Sequence, residues 1–504
     1  MKNLLLGIDI GTSACKVALF DSKGCVLGQS TKSYKVYYPA PGSVEQNPEE
    51  WWEKVCEAIK ETVIDSKIDA RDIAGIGIDG QSWSAIPVDR AGRVLHKTPI
   101  WMDTRASDIC QKTVARVGFD RIFEISGNSF EPTYSTPKIL WFKQYKPDIY
   151  RDTYMFLQSN SYIAMKLTGS MTQDVSQGYG IHCFNMKKAS WDDSLCQELG
   201  FDREKLPEIY KCHEVIGEVT REAAELTGLA VGTPVVAGGL DACCGALGAG
   251  VIKVGQTQEQ GGQAGGMSIC LDSAIAHPKL ILGFHVVPDL WLLQGGTVGG
   301  GGAIKWFKQE LGAYEEALGK STGVDAFKIM DQEAADIGVG SNGLIFLPYM
   351  AGERSPLWDK DAKGVFFGLG YDKTRAHMIR AVMEGCAYAL YHNINTAEEV
   401  DVYIDELVAM GGAANSRLWT QMKADITGKT IKVPTSDTAT TLGAAILAGV
   451  GTGVYKSFSE AIDKTIVITR THEPDMVAHK KYMEYYKIYL EIYEKLKETM
   501  KKCC

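Results

Sequence analysis

Short apolar runs, each ended by a small or polar turn, dominate the first eighty residues. Residues 4–8 and 16–20 predict two strands joined by a Gly-Thr-Ser turn, and residues 26–30 predict a third strand after a hairpin turn. A helix is predicted from Asn47 onward, because an N-cap residue is followed by proline and two glutamates. Residues 73–78 predict the next buried strand. This order of elements is typical of an α/β domain.

The second half repeats parts of this pattern. Residues 234–239 predict a short strand just before Asp241, and residues 257–271 predict a β-meander interrupted by glycines. Residues 407–410 predict a strand that leads through two glycines to a helix from about Asn415. The repetition predicts a duplicated α/β architecture, although similarity between the two halves at the sequence level is weak.

Two domains facing each other across a central cleft are therefore expected, residues 1–250 and residues 251–504. The last segment, residues 477–501, places tyrosines and aliphatic residues at helical spacing among lysines and glutamates. This periodicity predicts a terminal helix that packs on its own domain, and a membrane-surface helix is the alternative.

Composition narrows the function classes. The chain has 504 residues, of which 45% are hydrophobic and 23% charged, and its formal net charge is -9. The acidic balance argues against a nucleic-acid partner, and no apolar run reaches membrane-spanning length. The 13 cysteines form no Cys-x-x-Cys pair, which indicates free thiols in a reducing compartment. A cytoplasmic protein with no membrane partner is predicted.

The first candidate for chemistry is Asp9, at the end of the first predicted strand. A carboxylate in this position can hold Mg²⁺, while the amides and hydroxyls of the following turn, with Thr12 and Ser13, can face phosphate oxygens. Lys16 would add a positive charge. The pattern Asp-x-Gly-Thr also forms ordinary hairpin turns, so both interpretations stand at this point.

Asp241 is the second candidate, a single carboxylate in the small, apolar, glycine-rich segment 237–246. Burying an uncompensated charge there is costly, so a purely structural role would need a partner. The flanking glycines would instead allow substrate and phosphate to approach, and the carboxylate would accept a proton from the attacking hydroxyl. The alternative is that Asp241 caps the N-terminus of a helix.

Three glycine-rich turns follow, at residues 261–266, 299–302 and 411–415. Glycines let backbone N–H groups and helix N-termini approach a phosphate or an adenosine closely. Each turn alone is a weak signal. Three of them in one half of the chain, with two aspartates in the other half, favour a nucleotide-binding cleft.

Longer motifs carry a resemblance to a known family. Gly-Val-Phe-Phe-Gly-Leu at 364–369, with His-Met-Ile-Arg-Ala-Val-Met-Glu at 377–384, fits the second signature of the FGGY carbohydrate kinases. Pro-Lys-Ile-Leu-Trp-Phe at 137–142 fits the core of the first signature. Leu-Pro-Tyr at 347–349 and Gly-Glu-Arg-Ser-Pro at 352–356 are further hallmarks. The chain thus resembles this family over nearly its whole length, with the xylulokinase branch nearest.

The resemblance implies an actin-like, ribonuclease-H-type duplicated fold and transfer of the γ-phosphate of ATP to a hydroxyl of a small ketose, such as D-xylulose. It implies Asp241 as catalytic base and Asp9 as ligand of Mg²⁺. The expected ATP-binding residues are Thr12, Ser13, Lys16, Gly262, Gln263, Gly301, Lys305, Gly411, Gly412 and Asn415. The expected substrate-binding residues are Gln81, Ser82, Trp83, Trp101, Asp103 and Asp241 itself.

Two positions depart from the family pattern. The second phosphate hairpin, usually Gly-Thr-Ser or Gly-Thr-Gly, is Gly262-Gln263-Ala264-Gly265 here. The sugar loop of xylulokinases usually carries Gln-Met-His, and here its last residue is Trp83. An indole in place of an imidazole changes which substrate hydroxyls find a partner.

Several alternatives for the activity remain open. Within the kinase class, another ketopentose, a tetritol or its tetrulose, or another polyol is an alternative substrate. A catalytically degenerate sugar-binding sensor and an actin-like chaperone or filament ATPase are alternatives from other classes. A homodimer is left open.

Overall fold

The computed structural model describes residues 3–435 and 438–503. In chain order, the strands are β1 (Leu4–Ile10), β2 (Ala14–Phe20), β3 (Val26–Ser33), β4 (Tyr37–Ala40), β5 (Ser43–Gln46), β6 (Ile73–Gly80), β7 (Ile86–Val88), β8 (Thr98–Pro99), β9 (Met155–Leu157), β10 (Thr172–Asp174), β11 (Phe184–Asn185), β12 (Ser190–Trp191), β13 (Glu208–Tyr210), β14 (Val215–Glu218), β15 (Pro234–Val236), β16 (Gly239–Leu240), β17 (Gln256–Gly261), β18 (Gly265–Leu271), β19 (Ile281–Phe284), β20 (Trp291–Thr297), β21 (Ile345–Leu347), β22 (Val365–Phe367), β23 (Glu406–Met410), β24 (Thr430–Pro434) and β25 (Ile468–His472).

The helices are α1 (Pro48–Ser66), α2 (Ser107–Val117), α3 (Phe119–Ser126), α4 (Ser135–Tyr145), α5 (Pro147–Asp152), α6 (Ser159–Thr168), α7 (Val175–Gly178), α8 (Asp193–Leu199), α9 (Arg221–Thr227), α10 (Asp241–Gly248), α11 (Gly301–Leu311), α12 (Ala313–Thr322), α13 (Ala326–Ala335), α14 (Arg375–Glu398), α15 (Arg417–Thr427), α16 (Ala439–Gly451), α17 (Phe458–Thr465) and α18 (Met476–Met500). Short 3-10 helices lie at Ala70–Asp72, Arg203–Lys205, Val339–Gly343, Gly412–Asn415 and Lys501–Cys503.

The predicted opening elements are confirmed. β1, β2, β3 and β6 cover the four predicted strands, and α1 begins where the cap was expected. The Asn47 side chain accepts a hydrogen bond from the Glu49 amide at 3.2 Å, and Pro48 is the first helical residue. The helix predicted from about Asn415 begins at Arg417, after the 3-10 turn Gly412–Asn415.

The chain divides into two compact units. The first unit comprises Met1–Ile252, Cys270–Leu292 and Thr438–Ile466, and the second comprises Lys253–Ile269, Leu293–Asp437 and Val467–Cys504. The domain boundary predicted after residue 250 stays a prediction. Two segments that follow residue 250 in the chain pack with the first unit.

The main sheets of the two units share one topology. The first sheet has the strand order β14-β15-β6-β1-β2-β3, and β16 also pairs with β6. The second has the corresponding order β25-β24-β23-β17-β18-β20 and continues to β19. In each sheet the two central pairings are parallel, β1 with β6 and β6 with β15, β17 with β23 and β23 with β24. The neighbouring hairpin pairings, β1 with β2 and β17 with β18, are antiparallel. The predicted duplication is therefore confirmed as a repeat of topology.

Helix α16 packs closely on the first sheet through positions where only glycine fits. A Cβ on Gly7 of β1 would lie 2.0 Å from the Thr441 carbonyl oxygen, and one on Gly77 of β6 would lie 1.8 Å from that of Ala444. On the helix itself, a Cβ on Gly443 would lie 1.9 Å from the Cys244 carbonyl oxygen in α10. These approaches bring the C-terminal ends of β1 and β6 and the start of α10 into one region of the first unit.

The terminal helix α18 belongs to the core of the second unit. Its residues Tyr482, Tyr486 and Tyr489 are buried and pack with Tyr349 and Tyr388. The predicted packing of this helix on its own domain is therefore confirmed. Within residues 3–435 and 438–503, no helix combines the length and apolar character that a membrane span requires.

Candidate functional site

Two aspartates end neighbouring parallel strands in the first unit. β1 pairs with β6 in a register that places Asp9 directly opposite Asp79. Both side chains are buried, Asp79 completely, and the two carboxyl groups lie close enough to share one proton. Without that proton, both oxygens of Asp79 would lack a hydrogen-bond partner among the described residues. Asp9 also accepts a hydrogen bond from the Thr440 hydroxyl at 3.2 Å. The sheet register thus builds a carboxyl pair from residues seventy positions apart.

The two carboxyl groups of this pair have different proton affinities. Burial raises the pKa of both, but the negative charges of Asp9 and Asp241 and the shared hydrogen bond raise the pKa of Asp79 further. The pKa of Asp9 is held down by the charge of Lys16 and by its hydrogen bonds to Asp79 and Thr440. Asp79 therefore has the higher proton affinity of the pair and holds the shared proton more tightly than Asp9 does.

Asp79 was not recognised from the sequence. The signal that could have found it is the tripeptide Gly-Ile-Asp, which occurs at residues 7–9 and again at residues 77–79. The same three residues end two strands that the fold places side by side.

Asp241 is the first residue of α10 and lies immediately after β16. Because β16 pairs with β6 at Asp79 and Gly80, the start of α10 reaches the same strand ends. The N-cap residue of α10 is Leu240, so Asp241 is not the cap. Among the described residues, its carboxylate accepts a hydrogen bond only from the adjacent Ala242 amide, at 2.6 Å. Burial, with a smaller contribution from the charge of Asp9, raises the pKa of Asp241 to about 7. Asp241 is partly exposed, so a ligand can reach it.

The turn after β1 presents its three predicted residues differently. Ser13 and Lys16 are exposed, and Lys16 pairs with Asp9 across the β1–β2 hairpin. The Thr12 hydroxyl accepts a hydrogen bond from the Trp101 indole at 2.9 Å, and its carbonyl accepts one from the Gln46 amide at 2.7 Å. Thr12 therefore joins this turn to the region of the predicted substrate residues.

Gln81 continues the same network. Its backbone amide donates to the Ile10 carbonyl at 2.9 Å, and its side-chain Nε2 donates to Gln46 at 2.7 Å. The side-chain Oε1 of Gln81 is buried and has no partner within the described part of the chain. A buried acceptor without a partner is costly, and it fits a site where a ligand hydroxyl would supply the donor.

Trp83 adopts a left-handed backbone conformation, with φ of 61°, which is rare for a bulky residue. Its ring stacks on Tyr134 with centroids 4.2 Å apart, and Tyr179 lies at 5.9 Å in a tilted arrangement. The indole Nε1 is buried and has no hydrogen-bond partner among residues 3–435 and 438–503. Ser82 is hydrogen-bonded to Tyr179. Such local strain is found where surrounding contacts enforce it, often at binding sites.

Asp103 differs from the other predicted substrate residues because its carboxylate is already hydrogen-bonded to groups of the protein itself. It is completely buried, and Oδ2 accepts the Val44 amide at 2.6 Å. Both oxygens also accept hydrogen bonds from the guanidinium group of Arg105. The same guanidinium forms an ion pair with Glu45 at 2.8 Å. The geometry gives Asp103 a role in holding the loop that carries Trp101.

A cavity of about 880 Å³ lies in the second unit. Six of the residues predicted to bind ATP line it, namely Gly262, Gln263, Gly301, Lys305, Gly412 and Asn415. Ile304, Phe327, Met383 and Trp419 supply an apolar wall, which suits the planar ring of a nucleobase. Asp331 and Ser416, hydrogen-bonded to each other, add polar groups that the sequence did not reveal, since α13 carries no motif.

The glycine turns are explained partly by packing within this unit. The amides of Gly301 and Gly302 donate to the carbonyls of Gly262 and Gln263, both at 2.8 Å, so they are already satisfied by the hairpin. A Cβ on Gly300 would lie 2.4 Å from the Ala264 carbonyl carbon. This glycine run therefore lets the hairpin approach the start of α11.

Gly411 and Gly412 have contrasting reasons to be glycine. Gly411 has φ of 83°, and a Cβ there would lie 2.8 Å from the Gly261 carbonyl oxygen. A Cβ on Gly412 would meet nothing within 4 Å, although Gly412 lines the cavity. Protein packing requires glycine at the first position, whereas only a ligand in the cavity would require it at the second.

Glu353, from the Gly-Glu-Arg-Ser-Pro motif, holds the loop that precedes α11. Its carboxylate accepts the Thr297 hydroxyl at 2.7 Å and the Val298 and Arg354 amides at 2.8 and 2.7 Å. Burial nevertheless raises the pKa of Glu353 to about 7. The sequence marked this motif as a hallmark, and the structure adds what its glutamate contacts.

Comparison with known proteins agrees with this arrangement. The FGGY family of carbohydrate kinases matches with its N-terminal domain at residues 4–248 and with its C-terminal domain at residues 274–452. A xylulose kinase of Bacillus subtilis (strain 168) is 30% identical over 496 residues, covering 98% of this chain and 97% of that protein. A gluconokinase of the same strain is 29% identical over 494 residues, covering 98% and 96%.

The crystal structure of ligand bound xylulose kinase from Lactobacillus acidophilus matches with a TM-score of 0.90 at 26% identity, covering 99% of this chain and 100% of that one. The two-domain α/β fold predicted from the sequence is thereby confirmed. Sugar kinases of the matched family use ATP as the phosphate donor, so the predicted ATP-dependent sugar phosphotransferase is confirmed as well. The chain belongs to the FGGY family of carbohydrate kinases.

Proposed function

We propose that this kinase transfers the γ-phosphate of ATP to a hydroxyl of a small neutral ketose, with D-xylulose as the first candidate. The observation that carries the proposal is Asp241, partly exposed at a helix start, with a pKa of about 7. A carboxylate with a pKa near the working pH is a better proton acceptor than an ordinary aspartate, yet about half of it is still ionised at pH 7. The relatives named xylulose kinase support the choice of sugar.

In this proposal Asp241 is the catalytic base. It accepts the proton of the substrate hydroxyl while the hydroxyl oxygen forms a bond to the γ-phosphorus, and the bond from that phosphorus to the β–γ bridging oxygen breaks. The Ala242 amide, at 2.6 Å from the Asp241 carboxylate, fixes the orientation of the acceptor oxygen.

The nucleotide is assigned to the cavity of the second unit. Ile304, Phe327 and Trp419 would enclose the base, while Gly412 and Asn415 would face the adenosine. Within this unit, the phosphates would be contacted by Gly262, Gln263, Gly301 and Lys305. Thr12, Ser13 and Lys16 stay predictions as phosphate contacts.

The acidic strand ends fit a magnesium ion. Mg²⁺ is usually held by one or two carboxylates and the phosphates of the substrate rather than by a full protein cage. Asp9 offers one carboxyl group at the end of β1, which the Lys16 charge favours in its ionised form. When bound, Mg²⁺ would neutralise phosphate charge. Asp9 would be its ligand, and Asp79 would orient Asp9 through their hydrogen bond.

Substrate recognition is assigned to Gln81, Ser82, Trp83 and Trp101, with Asp103 holding the loop of Trp101. The Oε1 of Gln81 and the Nε1 of Trp83 have no hydrogen-bond partner in the described part of the chain. The first would accept a hydrogen bond from a sugar hydroxyl, and the second would donate one. Both unpaired atoms are neutral, which supports an uncharged polyhydroxylated substrate.

The charged groups nearby argue against a sugar acid such as gluconate. A carboxylate substrate needs an available cation, yet Arg105 is neutralised by Asp103 and Glu45. The ammonium group of Lys138 is enclosed by three carbonyls. A tetrulose or tetritol is the second candidate, because the indole of Trp83 fills space that a smaller side chain would leave to the sugar.

The test is ADP release measured over a panel of D-xylulose, L-xylulose, D-ribulose, erythrulose, erythritol, xylitol and gluconate, with Asp241→Asn as the matched control. We expect turnover with one neutral ketose or polyol, and turnover lower by about 10²-fold or more in Asp241→Asn. Turnover with gluconate alone would refute the neutral-substrate assignment. Sugar binding without any turnover would favour the sensor. A homodimer and a cytoplasmic location stay predictions.

A further inference from the structure

Lys138 of α4 is a lysine without exposure to solvent. Its side chain is completely buried in the first unit, and its Nζ donates to the carbonyls of Trp83 at 2.8 Å, Ile100 at 2.7 Å and Thr133 at 2.5 Å. An ammonium group has three N–H donors, and all three are used. A neutral amine has only two donors, so its lone pair would face one of these carbonyls.

The three carbonyls come from three segments that carry aromatic side chains of the substrate region. The first belongs to Trp83 itself, Ile100 directly precedes Trp101, and Thr133 directly precedes Tyr134. Tyr134 is the ring on which Trp83 stacks, and the Trp101 indole donates to Thr12. One ammonium group therefore joins the backbones behind this set of side chains.

The burial of this charge calls for a reason beyond stability. Burial lowers the pKa of Lys138 to about 7, while the charge of Asp103 favours the ammonium form and that of Arg105 opposes it. A buried methionine of similar length would avoid the cost of burying a charge. What methionine cannot do is hold the Trp83 carbonyl while the Trp83 backbone stays in its strained left-handed conformation.

We propose that Lys138 is a positioning residue for substrate specificity: its ammonium group fills a cation site made of three main-chain carbonyls and thereby holds Trp83, Trp101 and Tyr134 in the arrangement that binds the sugar. This inference rests on the proposed function of these aromatic residues. It assigns Lys138 no contact with the substrate.

The first test is Lys138→Met, with Lys143→Met as the matched control. Lys143 lies in the same helix and also donates to a carbonyl, that of Gly200 at 2.8 Å, but its side chain is 44% exposed. For Lys138→Met we expect the KM for the sugar to rise about tenfold or more, because buried carbonyls lose their donor and the loop relaxes. The kcat and the KM for ATP should change less than about threefold, and Lys143→Met should match the wild type. An equal loss of kcat with an unchanged sugar KM would overturn the proposal.

A rescue experiment separates the charge from the packing. Lys138→Ala leaves a space the size of propylammonium, so adding this cation should restore the sugar KM, whereas 1-propanol of similar size should not. Equal rescue by both compounds, or by neither, would contradict a cation site. If Lys138→Met does not fold, Lys138→Ala is purified with propylammonium, and the KM is compared before and after its removal. Failure of both variants to fold, even with the amine, also counts against a positioning role.

A measurement without substrate distinguishes failure of this inference from failure of the proposed function. The near-ultraviolet circular dichroism of Trp83 is isolated by subtracting the spectrum of Trp83→Phe, once in the wild type and once in Lys138→Met. We expect this difference spectrum to collapse in the Lys138→Met background, whether or not any sugar of the panel is phosphorylated. An unchanged Trp83 spectrum would refute the inference, while absence of turnover in the wild type would refute only the proposed function.

Discussion

The raised pKa of Asp241 predicts that removing its charge lowers turnover strongly and stabilises the unliganded protein at alkaline pH. The pKa of this carboxyl is about 7 in the folded protein, against an ordinary value of 3.8. An acid whose folded pKa is raised binds its proton more tightly in the folded state than in the unfolded state. Its contribution to the free energy of unfolding therefore decreases as the pH rises from about 4 to about 7.

The magnitude follows from the difference between the two pKa values. That difference corresponds to about 4 kcal/mol, and the partial exposure of Asp241 makes this an upper limit. Asp241→Asn is neutral at every pH, so at pH 8 it should be more stable than the wild type by about 2–4 kcal/mol, which is roughly 2–4 °C in Tm for a chain of 504 residues. The advantage should vanish towards pH 4, where the wild-type carboxyl is protonated too.

The assay is thermal unfolding of both proteins from pH 4 to pH 8, combined with ADP release at pH 8. The control is Asp120→Asn, an exposed aspartate in the first turn of α3, which should shift the free energy of unfolding by less than about 0.5 kcal/mol at any pH. Turnover of Asp241→Asn should fall by about 10²- to 10⁴-fold. A stability difference that does not depend on pH, or a variant less stable than the wild type at pH 8, would refute the reasoning.

Three further predictions test other parts of the structure. Gly411→Ala should lower the free energy of unfolding by about 2–4 kcal/mol, because Gly411 has a positive φ and lies close to a carbonyl oxygen. Gly412→Val should leave Tm unchanged and raise the KM for ATP about tenfold. Loss of stability in both variants would contradict this prediction. Asp79→Asn should keep most of the affinity for Mg²⁺, measured by titration calorimetry, because the amide can still donate a hydrogen bond to Asp9. Asp79→Leu should lose this affinity. Equal affinity of the two variants would exclude the orienting role of Asp79. Gly443→Ala should lower the free energy of unfolding by about 1–3 kcal/mol in urea titrations, since the added Cβ would lie 1.9 Å from a backbone oxygen. An unchanged midpoint of the urea transition would disprove the close packing of α16.

Much of the fold could be predicted because its signals are local. β1, β2, β3 and β6 are apolar runs bounded by turn residues, and α1 has its cap and proline in adjacent positions. The placement of α16 could not be predicted, because it depends on two carbonyls of the helix meeting glycines more than 360 positions earlier in the chain. No local pattern reports such a contact.

The sequence by itself determined which residue types were available for chemistry: Asp9 at a strand end, Asp241 among glycines, the glycine turns of the nucleotide cavity, and motifs long enough to indicate the family. Only the tertiary structure decided what surrounds them. The β1–β6 register joins Asp79 to Asp9, burial moves the pKa of Asp241 to about 7, and three distant carbonyls converge on Lys138. The physical reason is that proton affinity, desolvation and hydrogen bonding depend on neighbours in space, which the fold brings together from positions far apart in the chain.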